Sequence, residues 1–379
     1  MVGDLPEGYN VERVEGWVRA HVPGLSPPFV WSRLAGGHSN LTYRLLDNAG
    51  FRAVIRRPPL GTLLPKAHDM AREWTLIAAL SKTDVPVPAP LGFCEDLSVT
   101  GAHFYIMGHV EGHALYTARD TERYVPAGRR AAMAFSFIDA LAALHGLDPE
   151  TVGLGGLGKT EGYIARQVKT WYRSWLASVE PAGLDDRRAH DLQRYFVEHA
   201  PEQGPARIVH GDFGLHNCLV SDGGAIAAVL DWEISTLGDP LADLAYALNP
   251  WPDPTDPLPP PEASPTAPAG FPSRTELAER YALKTGRNLD ELDFYTGFNR
   301  WKSACIVHGV YARYLEGKKS TDGVDLEALR ETVLRSLELS EQAISRHEGR
   351  RNRQVSFGSA HGSGKGKTIS ESEPEHYRE

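Results

Sequence analysis

The pattern of apolar and polar residues predicts a small sheet in the first hundred positions. Four short stretches, bounded by turn residues, are typical of strands: 29–34, 41–46, 53–56 and 104–107. Between the third and the fourth, apolar residues recur at helical spacing from Ala67 to Leu80, and another helical pattern covers Val11 to Ala20. We therefore expect residues 1–109 to form one lobe, with one helix among its strands.

The pattern in the remainder of the chain is mainly helical. Six stretches carry it: 129–145, 162–180, 187–199, 275–285, 289–316 and 326–347. The proline-dense run Asn249–Phe271 cannot be a helix interior and predicts an irregular loop. Residues 110–348 are thus expected to form a second, mainly helical lobe. The predicted fold class is α+β.

The last segment, residues 349–379, differs in composition from both lobes. It is rich in glycine, serine and charged residues and has almost no apolar residue after Phe357. Such a composition cannot bury a core of its own. We predict a C-terminal tail, disordered or docked, that is dispensable for the chemistry.

One stretch, Ile208 to Leu248, contains groups suited to phosphoryl transfer. That reaction needs a carboxylate to receive the acceptor proton and oxygen ligands to hold magnesium on the phosphates. His210, Asp212 and Asn217 follow the spacing H-x-D-x-x-x-x-N, and Asp231 comes after the predicted short strand Ala225–Leu230. H-G-D alone is a weak signal, because Asp and Asn in loops are usually turn formers. The combination of this spacing with Asp231 makes a kinase-type site the favoured hypothesis.

These motifs resemble the aminoglycoside phosphotransferase (choline kinase-like) family, from Gly36–Gly37 to about Tyr314. Within it, the phrases GGHSNLTYRL, VIRRPPLGTLLPKAHDMAREW, VPVPAPLGFCED and FYIMGHVEG are most similar to the kinase-like domains associated with acyl-CoA dehydrogenases. The resemblance implies a bilobal protein-kinase-like fold, with an antiparallel-sheet N-lobe and a larger, mainly helical C-lobe. It also implies ATP and Mg²⁺ as cofactors.

The resemblance assigns roles to residues of the central stretch. Asp212 would be the catalytic base, and Asn217 and Asp231 would hold magnesium. Asp243 would support the catalytic loop. His210 matches a position that packs against the metal-binding turn, so we interpret it as structural.

The nucleotide site is expected on the first lobe. The turn AGGHSN, with Gly36, Gly37 and Ser39, could close its backbone over phosphates, although two glycines between strands are ordinarily only a turn. Val54 and Arg56 lie on one face of the following strand. Val54 would contact adenine, and Arg56 would reach the phosphates.

Arg56 stands where protein kinases carry lysine, and arginine is larger and planar. The alternative is that Arg56 and Arg57 are ordinary exposed residues. Glu73 argues against it, because this carboxylate falls within the apolar arc of its helix and needs a cationic partner. We predict that Glu73 pairs with Arg56.

A hinge between the lobes is predicted after the strand that ends near Met107. Gly108 interrupts the apolar run, and His109 and Val110 follow. Adenine would bond to backbone groups near Gly108 to Val110. Met107 would lie at the back of the pocket, although a methionine there is more often simply core.

Composition restricts the partners. The net charge is −9 and the pI is near 5.9, which argues against nonspecific binding to nucleic acid. We find no apolar run long enough for a membrane span and no signal peptide. The three cysteines lack the spacing of a metal site, and with the other features they favour a cytoplasmic location. The sequence leaves the oligomeric state open.

The acceptor is expected to be a hydroxyl-bearing small molecule bound against the helical lobe. A polycationic aminoglycoside would need carboxylates, which Asp290, Glu291 and Asp293 could supply. Arg300 and Lys302 would instead suit an anionic or amphiphilic acceptor, as the hydroxyacyl compounds implied by the resemblance would be. Aromatic candidates for the pocket are Trp171, Trp175, Trp251, Phe271, Tyr295, Phe298 and Trp301, although most aromatic residues on helices are core.

Two other classes of function remain open. A pseudokinase-like module, suggested by the unusual Arg56, would bind nucleotide and transfer nothing. A metal-dependent hydrolase would use His210, Asp212, His216 and Asp231 around a transition metal. Magnesium bound only with nucleotide favours the kinase, whereas tight zinc or manganese without nucleotide favours the hydrolase.

Overall fold

Five antiparallel strands form the sheet of the first lobe. The computed structural model describes residues 6–34, 40–61, 68–254, 256 and 261–362, with side chains as far as Arg353. The strands lie in the order β1-β2-β3-β5-β4. Their bounds are Val30–Arg33 (β1), Leu41–Leu46 (β2), Arg52–Arg57 (β3), Pro90–Cys94 (β4) and Phe104–Gly108 (β5). The predicted strands are confirmed, and β4 is an addition to them.

The two faces of this sheet bury different helices. Ile55 belongs to a core with Val14 and Val18 of α1 (Val11–His21), whereas its neighbour Val54 packs with Leu76 of α2 (Met70–Leu80). Successive strand residues point to opposite faces, so β3 is covered on both sides. The Asp69 carboxylate caps α2 by accepting from the Arg72 amide. A short helix, α3 (Leu97–Thr100), precedes β5.

The second lobe is mainly helical, as predicted. Its helices are α4 (Ala118–Tyr124), α5 (Arg130–Gly146), α6 (Tyr163–Ala182), α7 (Arg187–Glu198), α8 (Pro240–Leu248), α9 (Arg274–Thr285), α10 (Leu292–Leu315) and α11 (Leu326–Gly362). Two small antiparallel pairs lie between α7 and α8: β6 (Arg207–Val209) with β9 (Thr236–Gly238), and β7 (Cys218–Val220) with β8 (Ile226–Val229). The α+β class with a sheet-rich and a helical lobe is confirmed.

The proline-dense segment forms no helix or strand in its described part, residues 249–254, 256 and 261–271. It is nevertheless packed: Trp251 is buried and its indole N–H donates to the Ala247 carbonyl at 3.0 Å. The Thr266 hydroxyl donates to the Pro250 carbonyl and ties the two arms of the segment together. The segment is thus tied to the second lobe at Trp251 and Thr266.

The last helix is longer than the sequence pattern predicted. The prediction placed its end at His347 and a tail from residue 349, whereas α11 continues to Gly362. Strong helix formers such as Glu348 and Arg350 extend it although the apolar pattern has ended. Among the described helices, α10 and α11 included, none combines the length and apolar character needed to cross a bilayer.

Truncation after Glu348 is expected to leave Mg-ATP affinity unchanged. The buried His347 is retained, and the truncation removes the ion pair between Arg350 Nη2 and Asp293 Oδ2, 2.6 Å apart. Arg350 is about half exposed, and the buried Asp293 keeps Arg346 as a partner. The loss should therefore cost only about 0–1 kcal/mol of the free energy of unfolding. Calorimetric titration with Mg-ATP, beside a thermal melt, tests this. A folded truncation with weakened nucleotide binding would place the C-terminal segment in the active site.

Candidate active site

The loop that follows β6 is fixed by one buried carboxylate. Asp243, in the first turn of α8, accepts from the backbone amides of His210 at 2.6 Å and Gly211 at 2.8 Å. His145, at the end of α5, lies 3.3 Å from Asp243 Oδ2. Burial raises the pKa of Asp243, but these hydrogen bonds and the neighbouring histidines outweigh it, so the pKa lies below its ordinary value. The predicted contact of Asp243 with the catalytic loop is present.

His210 is fully buried beneath this loop. Its Nε2 donates to the Leu230 carbonyl at 2.9 Å, and its Nδ1 accepts from the Asp212 amide at 3.3 Å. Both ring nitrogens are therefore engaged by backbone. This arrangement agrees with a structural role and leaves no nitrogen for a metal.

Asp212 is surrounded by hydrogen-bond donors. Its Oδ1 accepts from the Tyr246 hydroxyl, and its Oδ2 accepts from Asn217 Nδ2 at 3.0 Å and lies 3.3 Å from His216 Nε2. Burial raises the pKa of Asp212, but His216 and then the Tyr246 hydroxyl more than offset this. The pKa is therefore below its ordinary value, and the group is an ionised carboxylate at neutral pH.

Asn217 and Asp231 are brought together by backbone pairing. The Leu230 amide donates to the Asn217 carbonyl at 2.8 Å, so the residue after Leu230 lies beside the catalytic loop. Asp231 adopts φ 64°, a left-handed conformation that is uncommon outside glycine and asparagine-like residues. The side-chain nitrogen Nδ2 of Asn217 donates to Asp212. The side-chain oxygen Oδ1 of Asn217 is therefore the atom that could bind a metal.

Two further carboxylates, those of Glu73 and Glu233, lie near Asp231. Oxygen atoms of Glu73, Asp231 and Glu233 are all within 4.8 Å of one another. Carboxylate oxygens suit a hard cation such as magnesium, and those of Glu73 and Asp231 also face the Arg56 guanidinium. The sequence analysis named Asn217 and Asp231 as metal ligands, and the structure adds Glu233 to their surroundings.

Arg56 joins the two lobes. Its Nε lies 3.4 Å from Glu73 Oε2, so the predicted pair exists, but its Nη2 is closer to Asp231 Oδ1, at 2.6 Å. Glu73 also accepts from the buried Tyr105 hydroxyl at 2.9 Å. Burial raises the pKa of Glu73 to about 7 in spite of Arg56. The bond to Asp231, missed from the sequence, is the shorter of the two.

Arg57 is not the exposed residue that the sequence alternative described. It is 5% exposed on the opposite face of β3, as strand alternation requires. Its guanidinium donates to the backbone carbonyls of Gly8, Pro58 and Thr100. Arg57 therefore holds the N-terminal segment and α3 against the sheet.

Two backbone amides of the predicted hinge are already hydrogen-bonded within the protein. Val54 and Met107 are register partners and share one core. The Gly108 amide donates to the Ala89 carbonyl at 2.8 Å and the His109 amide to the Arg52 carbonyl at 3.2 Å. These two amides are therefore engaged within the protein, and binding of adenine by other backbone groups near Gly108 to Val110 stays a prediction. Gly36, Gly37 and Ser39 lie outside the described residues.

A cavity of about 490 Å³ opens beside the catalytic loop, between the proline-dense segment, α10 and α11. Two of its lining residues, His216 and Tyr246, contact the Asp212 carboxylate. Of the aromatic candidates, Trp251 lines the cavity, and the Phe271 ring packs edge to face on the Trp251 ring. The others belong elsewhere: Trp175, Tyr295, Phe298 and Trp301 are core residues around α6, α7 and α10, and Trp171 packs against that core.

Comparison with known proteins agrees with this geometry. Residues 30–293 match the model of the "Phosphotransferase enzyme family". The chain is 37% identical over 297 residues to acyl-CoA dehydrogenase family member 11 of Gallus gallus, covering 76% of this chain and 37% of that protein. The corresponding protein of Pongo abelii is 34% identical over 326 residues, with 83% and 41% covered. The chain spans less than half the length of these relatives.

Solved structures show the same fold. A protein from Ralstonia eutropha JMP134, named as a candidate aminoglycoside phosphotransferase, superposes with a TM-score of 0.75 at 29% identity, over 88% of this chain and 99% of that one. A choline kinase from Cryptosporidium parvum gives 0.57 at 11% identity, over 92% and 97%. The latter likeness concerns the kinase-like fold alone. With most of its two lobes matched by the family model, the chain belongs to the phosphotransferase enzyme family.

Proposed function

We propose that this protein is an ATP-dependent phosphotransferase that moves the γ-phosphate to a hydroxyl group of a small molecule. One observation carries the proposal. The ionised Asp212 carboxylate contacts two residues that line the cavity, His216 and Tyr246. Its Oδ2 atom, which faces His216, also accepts from the proposed metal ligand Asn217. A base at that junction can serve an acceptor in the cavity and a phosphate held beside Asp231.

The chain's own residues supply each step. Asp212 orients the acceptor hydroxyl and takes its proton while the acceptor oxygen bonds to the γ-phosphorus. The bond from that phosphorus to the bridging oxygen breaks, and ADP leaves with the electron pair. Asn217 and Asp231 would hold magnesium, which when bound neutralises charge on the phosphates. Arg56 lies beside Asp231, where a cation can reach phosphate oxygens.

The two alternatives fit the site less well. A metal-dependent hydrolase would need His210 as a ligand, yet backbone groups engage both of its ring nitrogens. A pseudokinase would not need a carboxylate at the base position beside a cavity, whereas Asp212 contacts two residues that line one. The arginine at position 56 does not disable the site, since it still pairs with the helix carboxylate Glu73.

The charge of the cavity favours an anionic acceptor. Arg300 lines it, and burial, with Arg274 nearby, lowers the Arg300 pKa to about 10, which leaves it charged at neutral pH. Asp256, an acid in the same wall, is paired with Arg274. The three carboxylates considered for an aminoglycoside do not line the cavity and have other partners: Asp290 accepts from Asn288, Glu291 pairs with His347, and Asp293 pairs with Arg346 and Arg350. Hydroxyacyl compounds carrying an anionic group fit this balance.

The test is ADP release with Mg-ATP and three acceptors: kanamycin, choline and 3-hydroxybutyryl-CoA. Product mass must increase by one phosphoryl group in step with ADP. We expect the thioester to be phosphorylated and kanamycin to be inert. Calorimetry completes the test, because magnesium should bind only with nucleotide. Tight zinc binding without nucleotide, or nucleotide binding with no turnover, would overturn the proposal in favour of one of its alternatives.

Replacing Arg300 by methionine should raise the KM for the anionic acceptor by about tenfold to hundredfold, because a hydrogen bond to a charged group is removed. Mg-ATP affinity should stay constant, since Arg300 lies on the acceptor side. Arg313→Met, an exposed position on the same helix, is the matched control. Equal KM values for the two variants would contradict an anionic acceptor in this cavity.

A further inference from the structure

The hydrogen bonds of Asp212 are divided unevenly between its two oxygens. An ionised carboxylate has about four lone-pair positions, two on each oxygen. Oδ2 is approached by Asn217 at 3.0 Å and by His216 at 3.3 Å. Oδ1 accepts from the Tyr246 hydroxyl. By this count Oδ2 is filled, and the position left for an acceptor proton is the second lone pair of Oδ1, beside the tyrosine hydroxyl.

Tyr246 belongs to both the cavity and the base. It lies on α8 and lines the cavity, and its ring is 5.5 Å from the buried Lys302 ammonium, a distance suited to a cation–π contact. Lys302 in turn lies 5.7 Å from the Trp171 ring and donates to the Gly211 carbonyl at 3.4 Å. The Tyr246 ring therefore has a contact with α10 that does not involve Asp212.

Burial and the charge of Asp212 hold the pKa of Tyr246 far above its ordinary value. The tyrosine therefore remains a protonated donor throughout the working pH range. It does not compete with the acceptor as a base or as a nucleophile. Its contribution is geometric.

We infer that Tyr246 is a positioning residue: its hydroxyl directs the free lone pair of Asp212 Oδ1 to the acceptor cavity and fills the place that water would take. The inference rests on the proposed function and names the oxygen that receives the proton. In the intact site, a cavity-bound hydroxyl meets Oδ1 in one orientation. Without the tyrosine hydroxyl, a water molecule fits at Oδ1.

Water at this position changes the products. Its oxygen bonds to the γ-phosphorus, one of its protons passes to Oδ1, and the bond to the bridging oxygen breaks. The products are ADP and inorganic phosphate, and the acceptor is left unmodified. Tyr246 thereby couples ATP cleavage to acceptor phosphorylation.

The experiment compares wild type with Tyr246→Phe, which lacks one oxygen atom. Mg-ATP and 3-hydroxybutyryl-CoA are supplied, with kanamycin and choline in parallel, and phosphorylated acceptor and inorganic phosphate are measured separately. We expect transfer to fall by about tenfold to hundredfold, as for the removal of a hydrogen bond to a charged group. Inorganic phosphate per phosphorylated acceptor should rise at least as much. Calorimetric Mg-ATP affinity should stay at the wild-type value, and a cooperative thermal melt should show that the variant is folded at the assay temperature.

Two comparisons separate this effect from a merely structural one. Tyr172→Phe removes a hydroxyl that bonds to His190, remote from Asp212, and should alter neither product. In an Asp212→Asn background, Tyr246→Phe should change transfer little, because the residue acts through that carboxylate. The inference would be overturned if the fold-reductions in transfer caused by Tyr246→Phe and Asp212→Asn multiplied in the double variant. It would also be overturned if Tyr246→Phe lowered phosphorylated acceptor and inorganic phosphate equally.

Failure of the proposed function gives a different pattern. Wild type would then bind Mg-ATP and form neither phosphorylated acceptor nor inorganic phosphate. If wild type forms phosphate alone, the inference still requires Tyr246→Phe to raise the rate of its formation. An unchanged rate in that case would contradict it.

Discussion

Asp212→Asn is expected to reduce phosphoryl transfer by about 10²–10⁴-fold, the usual contribution of a positioned general base. The amide keeps the size of the side chain and an oxygen that can accept from Tyr246, but it removes the basic charge. Mg-ATP affinity should barely change, because Asn217 and Asp231 remain. The measurement is ADP release with a confirmed acceptor, beside calorimetric titration with Mg-ATP.

Asp139→Asn is the control for this substitution. That carboxylate lies in the same lobe and pairs with Arg280 at 2.6 Å, about one-third exposed and remote from the catalytic loop. It should leave turnover unchanged. An Asp212→Asn enzyme that turned over near the wild-type rate would refute the mechanism, since no other carboxylate contacts Tyr246 and Asn217 together among the described residues.

The second large effect is expected at Arg56. Arg56→Ala leaves Glu73 buried without its cation and releases Asp231, which should cost about 3–5 kcal/mol of unfolding free energy, as for a broken buried pair. Mg-ATP binding should weaken with it. Arg56→Lys should retain much of both, because it keeps the charge. Thermal or urea unfolding and Mg-ATP titration measure the two losses.

The destabilisation by Arg56→Ala should depend on pH in a definite direction. Burial already raises the pKa of Glu73 to about 7, above its value of about 4.5 in an unfolded chain, and removing Arg56 raises it further. The folded variant then binds a proton that the unfolded chain does not, so stability is lost as pH rises through the folded pKa. Unfolding at pH 6 and pH 9 should show the larger loss at pH 9.

The control for Arg56 must avoid its sequence neighbour. Because Arg57 is buried and bonded to three carbonyls, Arg57→Ala is expected to loosen the first lobe and cannot serve as the control. Arg33→Ala, which breaks an exposed pair with Glu7, is the better comparison. Equal losses from Arg33→Ala and Arg56→Ala would contradict the buried-pair interpretation.

Sequence reasoning identified the contacts that follow from local spacing. The H-x-D-x-x-x-x-N pattern placed Asp212 and Asn217 on one turn, and helical periodicity marked Glu73 as a buried carboxylate in need of a cation. Strand alternation put Arg56 and Arg57 on opposite faces. In each case a fixed backbone period converts position in the chain into position in space.

Contacts between distant segments were not predictable in this way. Tyr246 reaches Asp212 only because Asp243, one turn earlier on α8, bonds to the loop that carries the base. Arg56 and Asp231 are separated by 175 positions, and no period connects them. The prediction that the aromatic residues of α10 line the pocket was also wrong. The helix is covered on several sides, and the identity of a residue does not show which side of the helix faces the cavity.

The separation between the cavity wall and the catalytic loop bears on how such an enzyme can change. Arg300, Ser303, Thr332 and Ser336 of α10 and α11 shape the cavity, whereas Asp243 and His145 hold the loop from α8 and α5. Substitutions at these four positions leave the bonds made by Asp243 and His145 untouched. A lineage can therefore exchange one acceptor for another by small steps, and directed evolution of a new specificity should begin at these four positions.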